Sequence, residues 1–182
     1  GRALIKDETS PSSVLLIDLG ATLTSFIVYS GPSLRFTSSI PVSCQHFTQM
    51  VSKAMNVSLP EAEKLKLKYG LEKGPSFAKA TAGKEKIFEV LVPALVDLTQ
   101  QIKKHLDYYQ GHSFHEHLAS GDKGVSKIML CGGGANLKGF VKFLSNQLKI
   151  TVELGNPWAN ILPGDKKETA QLPLRESLRY VT

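Results

Sequence analysis

The sequence predicts an α/β domain: a mixed sheet with flanking helices, and a mostly helical lobe inserted between two parts of that core. Three observations lead there. Apolar, strand-like runs at 14–19, 24–30 and 34–40 follow one another with short corners at Gly20 and at Gly31-Pro32, which is the pattern of a meander. A strand at 125–131, a helix at 136–148 and a strand at 150–154 return later as a second α/β unit. Between them, the segment 57–99 lacks strand-like alternation and carries helical spacing.

Taken in chain order, residues 1–13 are polar, and Ser10-Pro11-Ser12-Ser13 reads as a linker into the first strand. After the meander, Gln45 to Asn56 predicts a helix with Phe47, Met50, Val51 and Ala54 on one face. The next helix starts at Leu59-Pro60-Glu61, with proline early and acidic residues in the first turn, and Gly70 is its expected stop. Residues 71–84 are small and polar and are expected to form a flexible loop. Residues 85–109 carry Ile87, Val90, Leu91, Ala94, Leu95, Leu98, Ile102 and Leu106 at helical spacing, with Pro93 as a point of kinking. A stripe this regular reads as core. The loop 111–124 holds His112, His115 and His117, but only Glu116 stands nearby, so these read as exposed histidines rather than a metal site. Gly155-Asn156-Pro157-Trp158 closes the last strand, and a charged, proline-containing tail leads to a short helix near 174–181.

Two corners carry the chemistry. In the first, the strand Leu15–Leu19 meets Asp18, turns at Gly20-Ala21 and resumes through Thr22 and Thr24. Successive backbone N–H groups at such a corner form a concavity for phosphate oxygens, glycine allows close approach, and the hydroxyls add donors. Asp18 could hold the corner or orient magnesium through water. In the second, the strand Ile128–Leu130 breaks into Gly132-Gly133-Gly134 ahead of Asn136 and a helix. A flat glycine surface suits a base or ribose, and a helix start favours an anion. Each signal alone also fits an ordinary tight turn; their combination points to a nucleotide cleft.

The combination resembles the actin-like ATPase superfamily, with its ribonuclease H-like fold, and within it the PilM/FtsA branch. Asp18-Leu19-Gly20-Ala21-Thr22-Leu23-Thr24-Ser25 is similar to the second phosphate motif, in the form found on the PilM side. Ala62–Gly70 resembles the helix of the inserted lobe that contacts ribose and base, with Glu63 and Lys66 at its contact positions. Gly132–Phe140 resembles the adenosine motif, and Gly155-Asn156-Pro157-Trp158 matches the PilM-side strand ending better than the FtsA one. The resemblance spans about residues 3–182 and identifies the chain with the second domain of that fold. It implies subdomain IIA at 14–56 and 100–182, and subdomain IIB at 57–99.

The resemblance implies ATP and magnesium as cofactors and an ATP-binding scaffold of type IV pilus assembly, cytoplasmic and peripheral to the inner membrane. The partners implied are inner-membrane pilus-assembly proteins, docked mainly on a first domain that would precede Arg2, and a homo-oligomer is allowed. An FtsA-like cell-division protein is the alternative, and an ATPase or kinase of the same fold is a third reading. Ala21, Thr22, Leu23 and Ser25 stand where many relatives carry glycines and a second acidic residue, which weakens the case for metal-linked hydrolysis. No catalytic residue is assigned, and whether ATP is hydrolysed stays open. With half the cleft outside this chain, weak nucleotide binding is expected of it alone.

Bulk properties narrow the alternatives. A 42% hydrophobic share is that of an ordinary globular domain, and no apolar run reaches the roughly 18 residues that span a bilayer, so no membrane insertion is expected. The net charge of +6 is spread along the chain rather than gathered in runs with interleaved aromatics, which argues against nucleic acid as a partner. Cys44 and Cys131 fit no metal spacing and no disulfide framework.

Overall fold

The computed structural model describes residues 12–31, 33–71, 81–112 and 124–156 of the chain. Its centre is a five-stranded mixed sheet in the order β3-β2-β1-β4-β5, built from β1 (Ser13–Leu19), β2 (Thr24–Ser30), β3 (Ser33–Ile40), β4 (Val125–Cys131) and β5 (Thr151–Leu154). The meander pairs β1–β2–β3 antiparallel, while β4 joins β1 in parallel and β5 joins β4 in parallel. The register sets Asp18 opposite Cys131, so the acidic end of β1 and the start of the glycine turn lie side by side at one end of the central strands.

Alternation sorts the strands. Leu15, Ile17, Leu19, Phe26, Val28, Ile128 and Leu130 face the helices and are buried. Leu16, Met129 and Cys131 are buried on the opposite face, with Val14, Ile27 and Tyr29 packed around them. The helices are α1 (Cys44–Met55), α2 (Leu59–Tyr69), α3 (Thr81–His112) and α4 (Phe140–Leu148). On α3, Ile87, Leu91, Leu95, Leu98 and Ile102 lie at core spacing and are all fully buried. Each such side chain contributes about 1.5–3 kcal/mol through burial.

The structure shifts several expected boundaries. The helix α3 is longer than the expected 85–109 at both ends and runs through Pro93 without a break; the expected 99/100 subdomain boundary falls inside it. His112 is its last residue, stacked on Tyr108 with ring centroids 4.3 Å apart; His115 and His117 lie outside the described residues. The helix expected from Asn136 instead begins at Phe140. A 3-10 turn over Gly133–Asn136 comes first, Leu137 is extended, and Gly139 takes a left-handed φ of 78° as the N-cap. The linker (apart from Ser12 and Ser13), residues 72–80, Trp158 and the tail with its expected helix lie outside the described residues.

Two local devices fix α2. At its start the Glu61 carboxylate accepts from both the Ser58 N–H (3.1 Å) and the Ser58 hydroxyl (2.7 Å), and these bonds hold the Glu61 carboxyl below the usual range. At its end Gly70 has φ +55°, and a Cβ there would stand 2.6 Å from the Lys138 carbonyl. The Leu71 N–H donates to that carbonyl at 2.8 Å, and Lys138 Nζ donates to the Lys68 carbonyl at 2.8 Å. Helix α2 is thereby laced to the segment between the glycine turn and α4.

Candidate functional site

A cleft of about 960 Å³ opens between the corner after β1, the first turns of α1, the exposed side of α2 and the glycine turn after β4. Its wall includes Asp18, Gly20, Ala21, Thr22, Glu63, Lys66, Gly132, Gly133, Gly134 and Asn136. Segments more than a hundred residues apart in the chain thus meet around one space.

Thr24, expected to offer its hydroxyl to a ligand, does not reach it. As the first residue of β2 it shares parity with Phe26 and Val28, so it points into the core, fully buried, and donates to the Val42 carbonyl at 2.6 Å. The hydroxyl is spent inside the fold.

The corner itself is a four-residue link closed by the Gly20 N–H donating to the Leu23 carbonyl at 3.1 Å. That takes one of the expected anion donors. The N–H groups of exposed Ala21, Thr22 and Leu23 make no backbone bond among the described residues and remain for a ligand. The corner's carbonyls are anchored from below: Cys44 N–H donates to Gly20 at 3.0 Å and Gln45 N–H to Ala21 at 3.1 Å. The first turn of α1 therefore supports the corner instead of facing the cleft as a bare helix end.

The three glycines do different things. Gly132 has φ +79°, and a Cβ there would lie 2.3 Å from Asp18 Oδ1. At Gly134 a Cβ would lie 2.1 Å from Cys44 Sγ. Both are glycines because β1 and α1 press on them. Gly133 is exposed and a Cβ there would meet nothing within 4 Å, so it alone gives the cleft a bare, flat wall. Just beyond it, Asn136 Oδ1 is buried without a hydrogen-bond partner. An orphaned acceptor of this kind costs free energy until a donor arrives.

On the lobe side Lys66 is 4% exposed, and its ammonium is fully engaged. It meets Glu63 Oε2 at 2.7 Å, Thr48 Oγ1 at 2.8 Å and the Cys44 carbonyl at 3.2 Å. Thr48 Oγ1 also donates to Glu63 Oε2. The expected contact through the Lys66 head is therefore taken up within the protein, and Glu63, with a side chain 43% exposed, is the member that faces outward. Cys44, Thr48, Gln45 and Phe47 of α1 line the cleft as well, and no local motif marked them. Phe47, Leu59, Leu67 and Leu137 give it an apolar side suited to a base.

Burial dominates the titrations here. It raises the Asp18 carboxyl above its ordinary value. It also lifts the Cys44 thiol to about 11 and the Cys131 thiol to about 12, so both thiols are inert neutral groups near neutral pH. The donor set fits a nucleotide: free N–H groups at the corner, an open glycine wall, an orphaned amide oxygen and an apolar side. For magnesium it offers Asp18 alone at the corner, and no group of three or more His, Cys, Asp or Glu able to hold a metal exists among the described residues. Such an ion would be held through water and the ligand's own phosphates.

Comparison with known proteins gives the geometry a context. The family model described as "Cell division protein FtsA" matches residues 15–173. The cell division protein FtsA of Helicobacter pylori (strain J99 / ATCC 700824) is 28% identical over 152 residues, covering 75% of this chain and 30% of the relative. That of Neisseria meningitidis serogroup B is 28% identical over 171 residues, covering 86% of this chain and 39% of the relative. The chain thus spans about 30–40% of the length of these curated relatives. Among solved structures, a PilM-PilN type IV pilus biogenesis complex superposes with a TM-score of 0.71 at 24% identity, covering 97% of this chain and 44% of the other. MreB5 of Spiroplasma citri bound to AMPPNP gives 0.65 at 22% identity, covering 87% and 53%. These likenesses establish the actin-like fold.

Proposed function

Since the chain belongs to the FtsA family of the actin-like fold, we propose that it is an ATP-binding scaffold domain whose nucleotide sits in the cleft between corner and glycine turn. One observation carries this reading: the corner and the glycine turn, read separately from distant parts of the sequence, form adjoining walls of the same cleft. Phosphates rest on the N–H groups of Ala21, Thr22 and Leu23, the sugar faces Glu63, and the base lies over Gly133 near Asn136 and the apolar side. Magnesium, when bound, would screen the phosphates beside Asp18.

The charge balance supports a shared site. Among the described residues lining the cleft, Lys66 is the one cation, and Glu63 neutralises it. A triphosphate needs more positive charge than that, and we propose that the remaining donors come from parts of the longer protein outside this chain. The scaffold acts peripherally at the cytoplasmic face of the inner membrane, a reading supported by the likeness to FtsA and to the PilM-PilN complex. The family match favours a cell-division role. A role with inner-membrane partners of the type IV pilus is the second reading, favoured by the Ala-Thr-Leu-Thr form of the corner after Gly20 and by Gly155-Asn156-Pro157-Trp158.

Titration of the full-length protein with a fluorescent ATP analogue, competed by unlabelled ATP with and without magnesium, tests the reading. Saturable, competed binding is expected from the full-length protein, and much weaker binding from this chain alone. Absence of competed binding by the full-length protein overturns the assignment. Tight, magnesium-dependent binding by the isolated chain overturns the shared-site part of it.

A further inference from the structure

We infer that Thr48 is the positioning residue of the sugar side of this cleft, holding Glu63 so that one carboxylate oxygen is presented to a ribose hydroxyl; this rests on the nucleotide reading above. The protein's contacts to Glu63 fall on one oxygen. Lys66 Nζ approaches Oε2 at 2.7 Å, and the Thr48 hydroxyl donates to the same atom. Oε1 takes no hydrogen bond or ion pair among the described residues, while the side chain is 43% exposed in the cleft wall. A carboxylate oxygen in an ion pair accepts, so what it takes is a donor, and the sugar hydroxyls of a nucleotide are donors of that kind.

Thr48 is suited to this because it works in both directions. Its oxygen accepts from Lys66 Nζ at 2.8 Å, and its one proton is directed to the carboxylate, a stronger acceptor than the Cys44 carbonyl 3.0 Å away. Cys44 and Thr48 lie one turn apart on α1, and Glu63 and Lys66 lie three residues apart on α2, so two pairs on facing helices close into one clasp. Without the hydroxyl, Glu63 keeps only Lys66 as a tether, and a half-exposed glutamate with one tether samples several rotamers. The carboxylate can then turn about its Lys66 contact, and the single oriented acceptor is lost.

The test compares ATP with 2′-deoxy-ATP and 3′-deoxy-ATP on the full-length protein, as wild type, Thr48→Val, Thr48→Ala and Thr48→Ser. Valine keeps the branched shape and serine keeps the hydroxyl. The wild type is expected to favour ATP over at least one deoxy analogue by on the order of tenfold, the size of a hydrogen bond to a charged group. Thr48→Val and Thr48→Ala should bring that ratio near one, and Thr48→Ser should restore it. A loss of affinity that is equal for all three nucleotides, or an unchanged ratio in both hydroxyl-free variants, reduces Thr48 to a structural role and overturns the inference. Equal binding of the three by the wild type also overturns it while leaving the nucleotide reading standing. If the wild type binds none of them, that reading falls and this one with it.

Discussion

Replacing Gly133 by leucine separates binding from folding more cleanly than any other change in the cleft. A Cβ at this position meets nothing within 4 Å, and Gly133 is absent from the residues with positive φ, so the backbone carries a side chain there without strain at Cβ. Loss of glycine freedom in the unfolded chain should even add about 0.4–1 kcal/mol of stability. A ligand resting on that wall, in contrast, lies at van der Waals distance, roughly 3.5–4 Å. The first added carbon already enters that layer. Forcing extra carbons into a filled site costs about 1–3 kcal/mol. That corresponds to a roughly 5- to 150-fold loss of ATP affinity. Competition titration of the full-length variant measures the loss, and a thermal melt of the same sample measures the fold. Wild-type affinity in a variant with an unchanged or raised melting temperature would refute the placement of the ligand on the glycine turn.

The neighbouring glycine should behave in the opposite way: Gly134→Ala drives a carbon to 2.1 Å from Cys44 Sγ and within 2.6 Å of Leu19, so overpacking should destabilise the fold by about 1–3 kcal/mol and lower its melting temperature before any ligand is added. Equal stability of Gly134→Ala and wild type would mean that α1 does not press on the turn. Asp18→Asn addresses the half-buried carboxyl. Its folded-state pKa is raised above the ordinary 3.8, so the penalty for charging it is absent below that value and grows as pH rises through the folded pKa. The variant should therefore melt higher than wild type near neutral pH, with the gain fading toward pH 4 (melts across that range decide it), while losing whatever magnesium dependence the nucleotide shows. A pH-independent difference would contradict the burial argument.

Much of the cleft was legible because its pieces are local. A strand end with Asp18 and Gly20, a glycine triplet after Leu130, and a capped helix with Glu63 and Lys66 each announce themselves within a dozen residues. What α1 contributes has no such signal. Cys44 and Thr48 share a helix face by their spacing, but only the docking of α1 against α2 determines that this face meets Lys66. Thr24 was readable and was misassigned: its parity with Phe26 and Val28 already placed it inward, whereas its closeness to the corner suggested otherwise. The start of α4 was hidden for a backbone reason. Gly139, not Asn136, supplies the left-handed N-cap, and the intervening 3-10 turn has no side-chain period of its own.

The residue Cys44 is a common footing for three parts of the molecule. Its N–H is bonded to the Gly20 carbonyl of the corner after β1, its carbonyl to Lys66 of α2, and its sulfur lies against the Gly134 backbone. Neither the corner nor the lobe can shift against the other without straining a bond to this one peptide unit. On the nucleotide reading proposed above, the corner, α1 and α2 are expected to respond to a ligand as one unit tied through Cys44.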